Sequence, residues 1–150
     1  MCKTAIIYAS IHHGNTKKLV DAISVKYDID LIDATKINEK DLSMYDLIGF
    51  ASGIDFGKFY DCVEVFLYKC LPDYKKVFFL YTCAKINKTF TKSIKDEALK
   101  KHSIILGEYG CKGYNTYGPL RFIGGMNKEN PNQEELNNAI VFFESILKTL

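Results

Sequence analysis

AIIYASIHHGNTKKLVDAI, residues 5 to 23, is the stretch on which the fold turns. A nearly continuous apolar run from Ala5 to Ala9 gives way to Ser10-Ile11-His12-His13-Gly14-Asn15-Thr16, and apolar residues return at Leu19, Val20 and Ile23. That pattern predicts a buried strand, a short polar loop and a helix opening at Asn15 or Thr16. Such a turn aims free backbone N–H groups and the positive end of the helix dipole beyond the strand's carboxyl end, where an anion, phosphate above all, is stabilised. Gly14 lets the backbone approach a ligand closely, and Ser10, Asn15 and Thr16 add short polar side chains. Lys17 and Lys18 occupy the helix's first turn, where cations oppose the macrodipole, and a bound anion would reverse that penalty. On spacing alone a second reading stands beside this one, in which Asn15 caps the helix and both lysines are solvated. The loop matches neither G-x-x-x-x-G-K-[ST] nor G-x-G-x-x-G, so neither a P-loop nor a Rossmann dinucleotide site is expected. His12 and His13 are adjacent and no third ligand lies near them in sequence, so no metal is expected there. One imidazole is expected to face the anion and the other the solvent or a neighbouring loop.

Working outward, further apolar runs at 46 to 52, 77 to 83 and 103 to 109 join 4 to 10 as parallel strands covered on both faces. The segment 28 to 33 alternates Ile29 and Leu31 with Asp28, Asp30 and Asp33, the pattern of an edge strand. Helical patterns lie at Leu19, Val20 and Ile23, at Val63, Phe66 and Leu67, and at Ile94 and Leu99. The last helix has Pro131 near its start, Glu134 and Glu135 in its first turn, and Leu136, Ile140, Phe143 and Leu147 along one face. The expected element order is β-α-β-α-β-α-β-α-β-α. This alternation predicts an α/β architecture, a doubly wound five-stranded parallel sheet with helices on both faces and strand order 2-1-3-4-5. Ligands then bind between the first and third strands, beyond the strands' carboxyl ends, among the loops at 10 to 16, 52 to 59, 83 to 89 and 110 to 130.

The chain has 150 residues, 47% hydrophobic and 25% charged, and reads as one globular domain spanning 1 to 150. Apolar runs such as VFFLY, 77 to 81, fall far short of the ~20 residues that cross a bilayer, and the N-terminus lacks a signal-peptide pattern. A cytoplasmic location is expected. Five cysteines without a C-x-x-C pair suggest reduced thiols rather than a zinc cage or a disulfide framework. A formal net charge of +2 is too balanced to imply nucleic-acid binding.

The Gly14-Asn15-Thr16 triplet after a first strand, with a hydroxyl residue upstream, resembles the phosphate-binding signature of the flavodoxin family. ASGIDFGKFY, 51 to 60, and CKGYNTYGPLRFIGGMNKENPNQEELNNA, 111 to 139, extend the resemblance to the whole chain. Flavodoxins are small FMN-binding electron carriers, so the resemblance implies FMN as cofactor. It also implies that Ser10, His12, Gly14, Asn15 and Thr16 hold the phosphate. Ser52, Gly53, Ile54, Asp55, Phe56 and Gly57 would run along the isoalloxazine, and Thr82, Cys83, Ala84 and Lys85 would close its other side. Cys111, Lys112, Gly113 and the stretch from Tyr114 through Tyr117 to Gly118 would cover the ring or its pyrimidine edge. A flat ring needs apolar cover, for which Phe56, Tyr60, Tyr114 and Tyr117 are candidates. Asp55, if close to the ring, opposes build-up of negative charge and lowers the potential. Cys83 and Cys111 end strands near the same place, with small packing residues as their default reading.

The leading expectation is a low-potential electron carrier that shuttles between redox partner proteins, with no catalytic residues, no structural metal and no membrane or nucleic-acid partner. The alternative is an FMN-dependent NAD(P)H:quinone or flavin reductase, for which the loop at 110 to 130 would shape a second pocket. A signalling receiver domain, which shares the strand order, needs paired acids after the first strand. Ala9-Ser10-Ile11-His12 supplies none.

Overall fold

The computed structural model describes residues 1–116 and 118–150. Its strands are β1 (Thr4–Ala9), β2 (Ile29–Asp33), β3 (Leu47–Asp55), β4 (Lys58–Phe59), β5 (Lys76–Cys83) and β6 (Ile104–Lys112). Its α-helices are α1 (Asn15–Ser24), α2 (Asp61–Cys70), α3 (Lys92–Lys100) and α4 (Gln133–Leu147), with 3₁₀ turns at Lys88–Thr91 and Gly118–Ile123. The sheet order is β2-β1-β3-β5-β6, all parallel, with β4 added antiparallel to β3. This is the doubly wound order expected from the sequence, and the reversal of direction falls between β1 and β3.

Alternation along each strand divides the core in two. Ala5, Ile7 and Ala9 of β1 face Val63, Phe66 and Leu67 of α2 and Ile94 and Ala98 of α3. Ile6 and Tyr8 face Leu19, Val20 and Ile23 of α1 and Ala139, Phe143 and Ile146 of α4. The central strands are buried on both sides, which is why they read as unbroken apolar runs. α4 opens with Asn132 and Glu135 in a reciprocal capping box, the Glu135 N–H donating to Asn132 Oδ1 at 2.9 Å and the Asn132 N–H to Glu135 Oε1 at 3.1 Å.

Three expectations change. No helix joins β2 to β3 among the described residues; 34 to 46 run through short turns. Asp33 Oδ1 accepts from the Thr35 N–H and hydroxyl and Asp41 Oδ1 accepts from the Ser43 N–H, so local side-chain bonds replace a helical ladder. The 103 to 109 run is not covered on both faces: β6 forms the second sheet edge, is mostly half-buried, and leaves Ile104 exposed. On α3 the face toward the sheet carries Ile94 and Ala98, an i,i+4 pair, which turns Leu99 out to solvent. Among the described residues no helix is long and apolar enough to cross a membrane.

Candidate functional site

A cavity of about 660 Å³ opens at the carboxyl ends of β1, β3, β5 and β6, over the point where the strand order reverses. Its size lies within the range of small-molecule and cofactor sites, roughly 300–1,000 Å³. Four segments wall it. The first loop contributes Ser10, Ile11, His12, Asn15 and Thr16, and the β3–β4 hairpin contributes Gly53, Ile54, Asp55 and Phe56, with Tyr60 beyond it. The end of β5 contributes Thr82, Cys83 and Ala84, and the segment after β6 contributes Gly113, Tyr114, Asn115, Thr116 and Arg121.

The first loop is shaped by backbone conformation. His13 and Gly14 both adopt left-handed φ angles, 55° and 66°, and Gly14 is the N-cap of α1. Asn15 is therefore not the cap, and its side chain turns inward: Nδ2 donates to the Tyr114 carbonyl at 2.8 Å and Oδ1 accepts from the Tyr114 N–H at 3.1 Å. The buried Thr16 hydroxyl pairs with that of Thr82 at 2.9 Å. Ser10 Oγ accepts from the Lys17 N–H at 3.0 Å. Lys17 turns back along the helix to Asp21 Oδ1 at 2.5 Å, so its charge is already countered without an anion. Among the described residues the amides of His12, His13, Gly14 and Thr16 have no acceptor, which leaves the backbone of this turn as a cluster of donors at a helix N-terminus.

The two histidines part company. His12 lines the cavity, its ring edge-on to that of Tyr60 with centroids 6.4 Å apart. His13 stacks on Tyr114 at 4.1 Å, and its Nε2 meets Thr116 Oγ1 at 2.9 Å, so it fastens the first loop to the last.

The segment 52 to 59 is a hairpin rather than an open loop. Ile54 pairs with Phe59 and Asp55 with Lys58 around a two-residue turn, Phe56-Gly57, with φ of 50° and 77°. Turns with two positive φ angles match the right-handed twist of the flanking strands, which explains why β3 continues to Asp55. Phe56 stands at the tip, 92% exposed, on the cavity rim. Ser52 is fully buried and works inside the wall: its hydroxyl donates to the Gly53 carbonyl at 2.6 Å and accepts from the Tyr60 N–H at 2.9 Å. Burial, followed by the charge of Asp55, pushes the Tyr60 phenol up to about 12.

The far wall is tied to β5. The Gly113 N–H donates to the Cys83 carbonyl at 2.9 Å, and Asn127 Nδ2 donates to the Ala84 carbonyl at 2.8 Å. An antiparallel bridge joins Asn115 to Met126, and the Tyr114 hydroxyl donates to the Gly124 carbonyl at 3.0 Å. Burial pushes the Cys83 thiol up to about 11 and that of Cys111 further.

Of the residues expected at the site, Ser10, His12, Asn15, Thr16, Gly53, Ile54, Asp55, Phe56, Thr82, Cys83, Ala84, Gly113 and Tyr114 come together on the cavity wall. Others stand back from it. Gly14 and Gly57 set turns, Ser52 is sealed in the hairpin base, and Lys85 is exposed beyond the rim. Cys111 packs into the core cluster beneath α1 and α4, on the opposite face of the sheet from Cys83, because register places Cys111 beside Thr82. Lys112 uses its backbone N–H on Glu135 Oε2 at 2.9 Å while its side chain is exposed. Tyr117 lies outside the described residues. Asn115 and Thr116, inside the expected stretch from Tyr114 to Gly118, also stand on the wall, and sequence reasoning missed Ile11 and Arg121. Arg121 carried a signal, for it is the only arginine in a chain that otherwise uses lysine. Ile11 had none, since its place on the wall depends on loops that meet only in the fold.

A protein-family model described as a flavodoxin domain matches residues 5–116. An uncharacterized protein of Methanocaldococcus jannaschii is 40% identical over 148 residues, covering 97% of this chain and 99% of that one. Oxidised flavodoxin 2 from Bacillus cereus superposes with a TM-score of 0.74 at 16% identity, covering 99% of each chain. A flavoprotein from Lactobacillus acidophilus, solved in complex with FMN, gives a TM-score of 0.59 at 19% identity over 73% of this chain and 93% of that one. The chain belongs to the flavodoxin family.

Proposed function

We propose that this protein binds FMN noncovalently and carries electrons at low potential between transient redox partner proteins in the cytoplasm. The observation that carries the reading is the wall itself: open amides at the N-terminus of α1 at one end, and Ile54, Phe56, Ala84 and Tyr114 as apolar cover elsewhere. A phosphate suits the first and a flat aromatic ring the second, so the residues present fit FMN. When bound, FMN supplies the ring that accepts and releases electrons. The chain's part is to hold the phosphate on the amides of His12, His13, Gly14 and Thr16 and to cover the ring from the hairpin and the segment after β6. Asp55 on the wall opposes added negative charge and Arg121 favours it, so the balance of the two sets the potential. Five unpaired thiols suit a reducing compartment.

Titration of the purified protein with FMN, followed by quenching of flavin fluorescence, tests the reading; unchanged fluorescence at stoichiometric protein would refute it. A second reading, an NAD(P)H-dependent reductase, draws support from Arg121 at the cavity with the exposed Phe122 and Ile123 beside it, a surface able to receive a second substrate. Rapid bleaching of the bound flavin by NAD(P)H alone favours the reductase, and indifference to NAD(P)H favours the carrier.

A further inference from the structure

The Tyr60 side chain reads differently from the other aromatic candidates. Tyr60 is 92% buried by its 8% residual exposure, yet it lines the cavity, and its hydroxyl has no hydrogen-bond partner among the described residues. The oxygen itself is not sealed off but opens on the cavity, so its O–H is free to meet an acceptor that a ligand brings there. The placement is enforced. Its backbone N–H is held by Ser52 Oγ, and its hydroxyl stands directly over the Cα of Gly53, where any Cβ would collide with it. Glycine at 53 is what lets the phenol reach this point.

Strand register fixes which end of the cavity that point serves. Ala9 pairs with Ser52, so Gly53 lies beside Ser10 and the first loop; Gly53 pairs on its other side with Thr82, whose hydroxyl binds Thr16. The phenol therefore stands at the α1 end, on the side of the first loop, with its ring edge-on to that of His12. Of the short side chains there, Asn15 is spent on Tyr114 and Thr16 pairs with Thr82, while Ser10 Oγ accepts from the Lys17 N–H and keeps its own O–H as a second donor beside the phenol.

Resting on the reading of this cavity as an FMN site, we propose that the Tyr60 hydroxyl is a donor to the FMN phosphate, completing with His12 and the backbone amides a subsite that distinguishes FMN from unphosphorylated flavin. Tyr60 works here through its hydroxyl and not through its ring face. As burial keeps the phenol protonated to about pH 12, it remains a donor throughout the range in which the phosphate is dianionic.

The test compares FMN and riboflavin binding to wild-type protein and Tyr60→Phe by fluorescence quenching. A hydrogen bond to a charged group predicts that the variant loses FMN affinity by about 10-fold or more while riboflavin affinity stays within about 2-fold. The variant's apo-protein should melt no lower than wild type, since the hydroxyl it loses has no partner in the fold. An FMN-over-riboflavin preference equal to that of wild type overturns the proposal, as does an equal loss for both flavins. A second readout needs no flavin: inorganic phosphate should raise the apo-protein's Tm, and raise it less in the variant. Equal phosphate shifts count against the hydroxyl. Wild-type protein that fails to bind FMN overturns the cofactor reading and this inference with it, whereas FMN binding without the selectivity change removes this inference alone.

Discussion

Asn15→Ala separates a ligand contact from a structural one. Sequence spacing makes Asn15 a helix cap or a phosphate ligand, but the structure commits its amide group to the backbone of Tyr114, across 99 residues of chain. Removing the side chain deletes the 2.8 Å bond from Nδ2, worth about 1 kcal/mol net, and leaves the Tyr114 carbonyl short of a donor, worth about 1 kcal/mol more. The Tyr114 N–H suffers less, because it is shared with the Asn130 carbonyl at 3.0 Å. Alanine's better helix propensity returns a few tenths of a kcal/mol. The net loss is about 1.5–2 kcal/mol, which for a chain of this size lowers Tm by roughly 3–8 °C. Thermal unfolding of the apo-protein, followed by far-UV circular dichroism, measures it with no flavin present. If Asn15 served only a phosphate, the apo-protein would melt as wild type does and only FMN affinity would fall; a Tm shift below about 1 °C refutes the stapling role.

Thr16→Val and Thr82→Val should each destabilise by about 1–3 kcal/mol by orphaning a buried hydroxyl, while the double variant loses less than the sum; additive losses in urea unfolding would mean the 2.9 Å pair is not coupled. Phe56→Asn should stabilise the apo-protein by about 0.5–1 kcal/mol, since Phe56 holds a left-handed φ of 50° with its ring 92% exposed; a lower urea midpoint would show that the ring packs in solution. Cys83 should resist iodoacetamide at pH 8 in the folded protein, because burial pushes its thiol up to about 11, and peptide mapping should find Cys2 or Cys70, which are only half-buried, modified first. Modification of Cys83 ahead of these would contradict that.

The hydrophobic pattern was sufficient for the sheet because it is a local property. Two-sided burial makes β1, β3 and β5 apolar throughout, and an exposed edge makes β2 alternate, so the strand order and the switch point follow from residues read a few at a time. The pattern failed between β2 and β3, where Asp33 and Asp41 divert the backbone into side-chain turns, and at β6, whose apolar run met only partial cover. The Phe56-Gly57 turn was also hidden, since a phenylalanine is an unusual occupant of a left-handed position.

The sequence by itself determined at which end of the sheet the cavity opens and which loops surround it. Only the tertiary structure decided what each side chain there does. Lys17 answers Asp21 rather than an anion; His12 faces the cavity while His13 stacks on Tyr114; Asn15 and Thr16 are taken up by partners 99 and 66 positions away; and the Tyr60 hydroxyl is left open over Gly53. Strand and helix formation depends on neighbours along the chain, whereas the direction and partner of a polar side chain depend on which loops the closed sheet brings together. The motif at 10 to 18 therefore marks the loop that walls the cavity, and the fold selects which of its atoms face it.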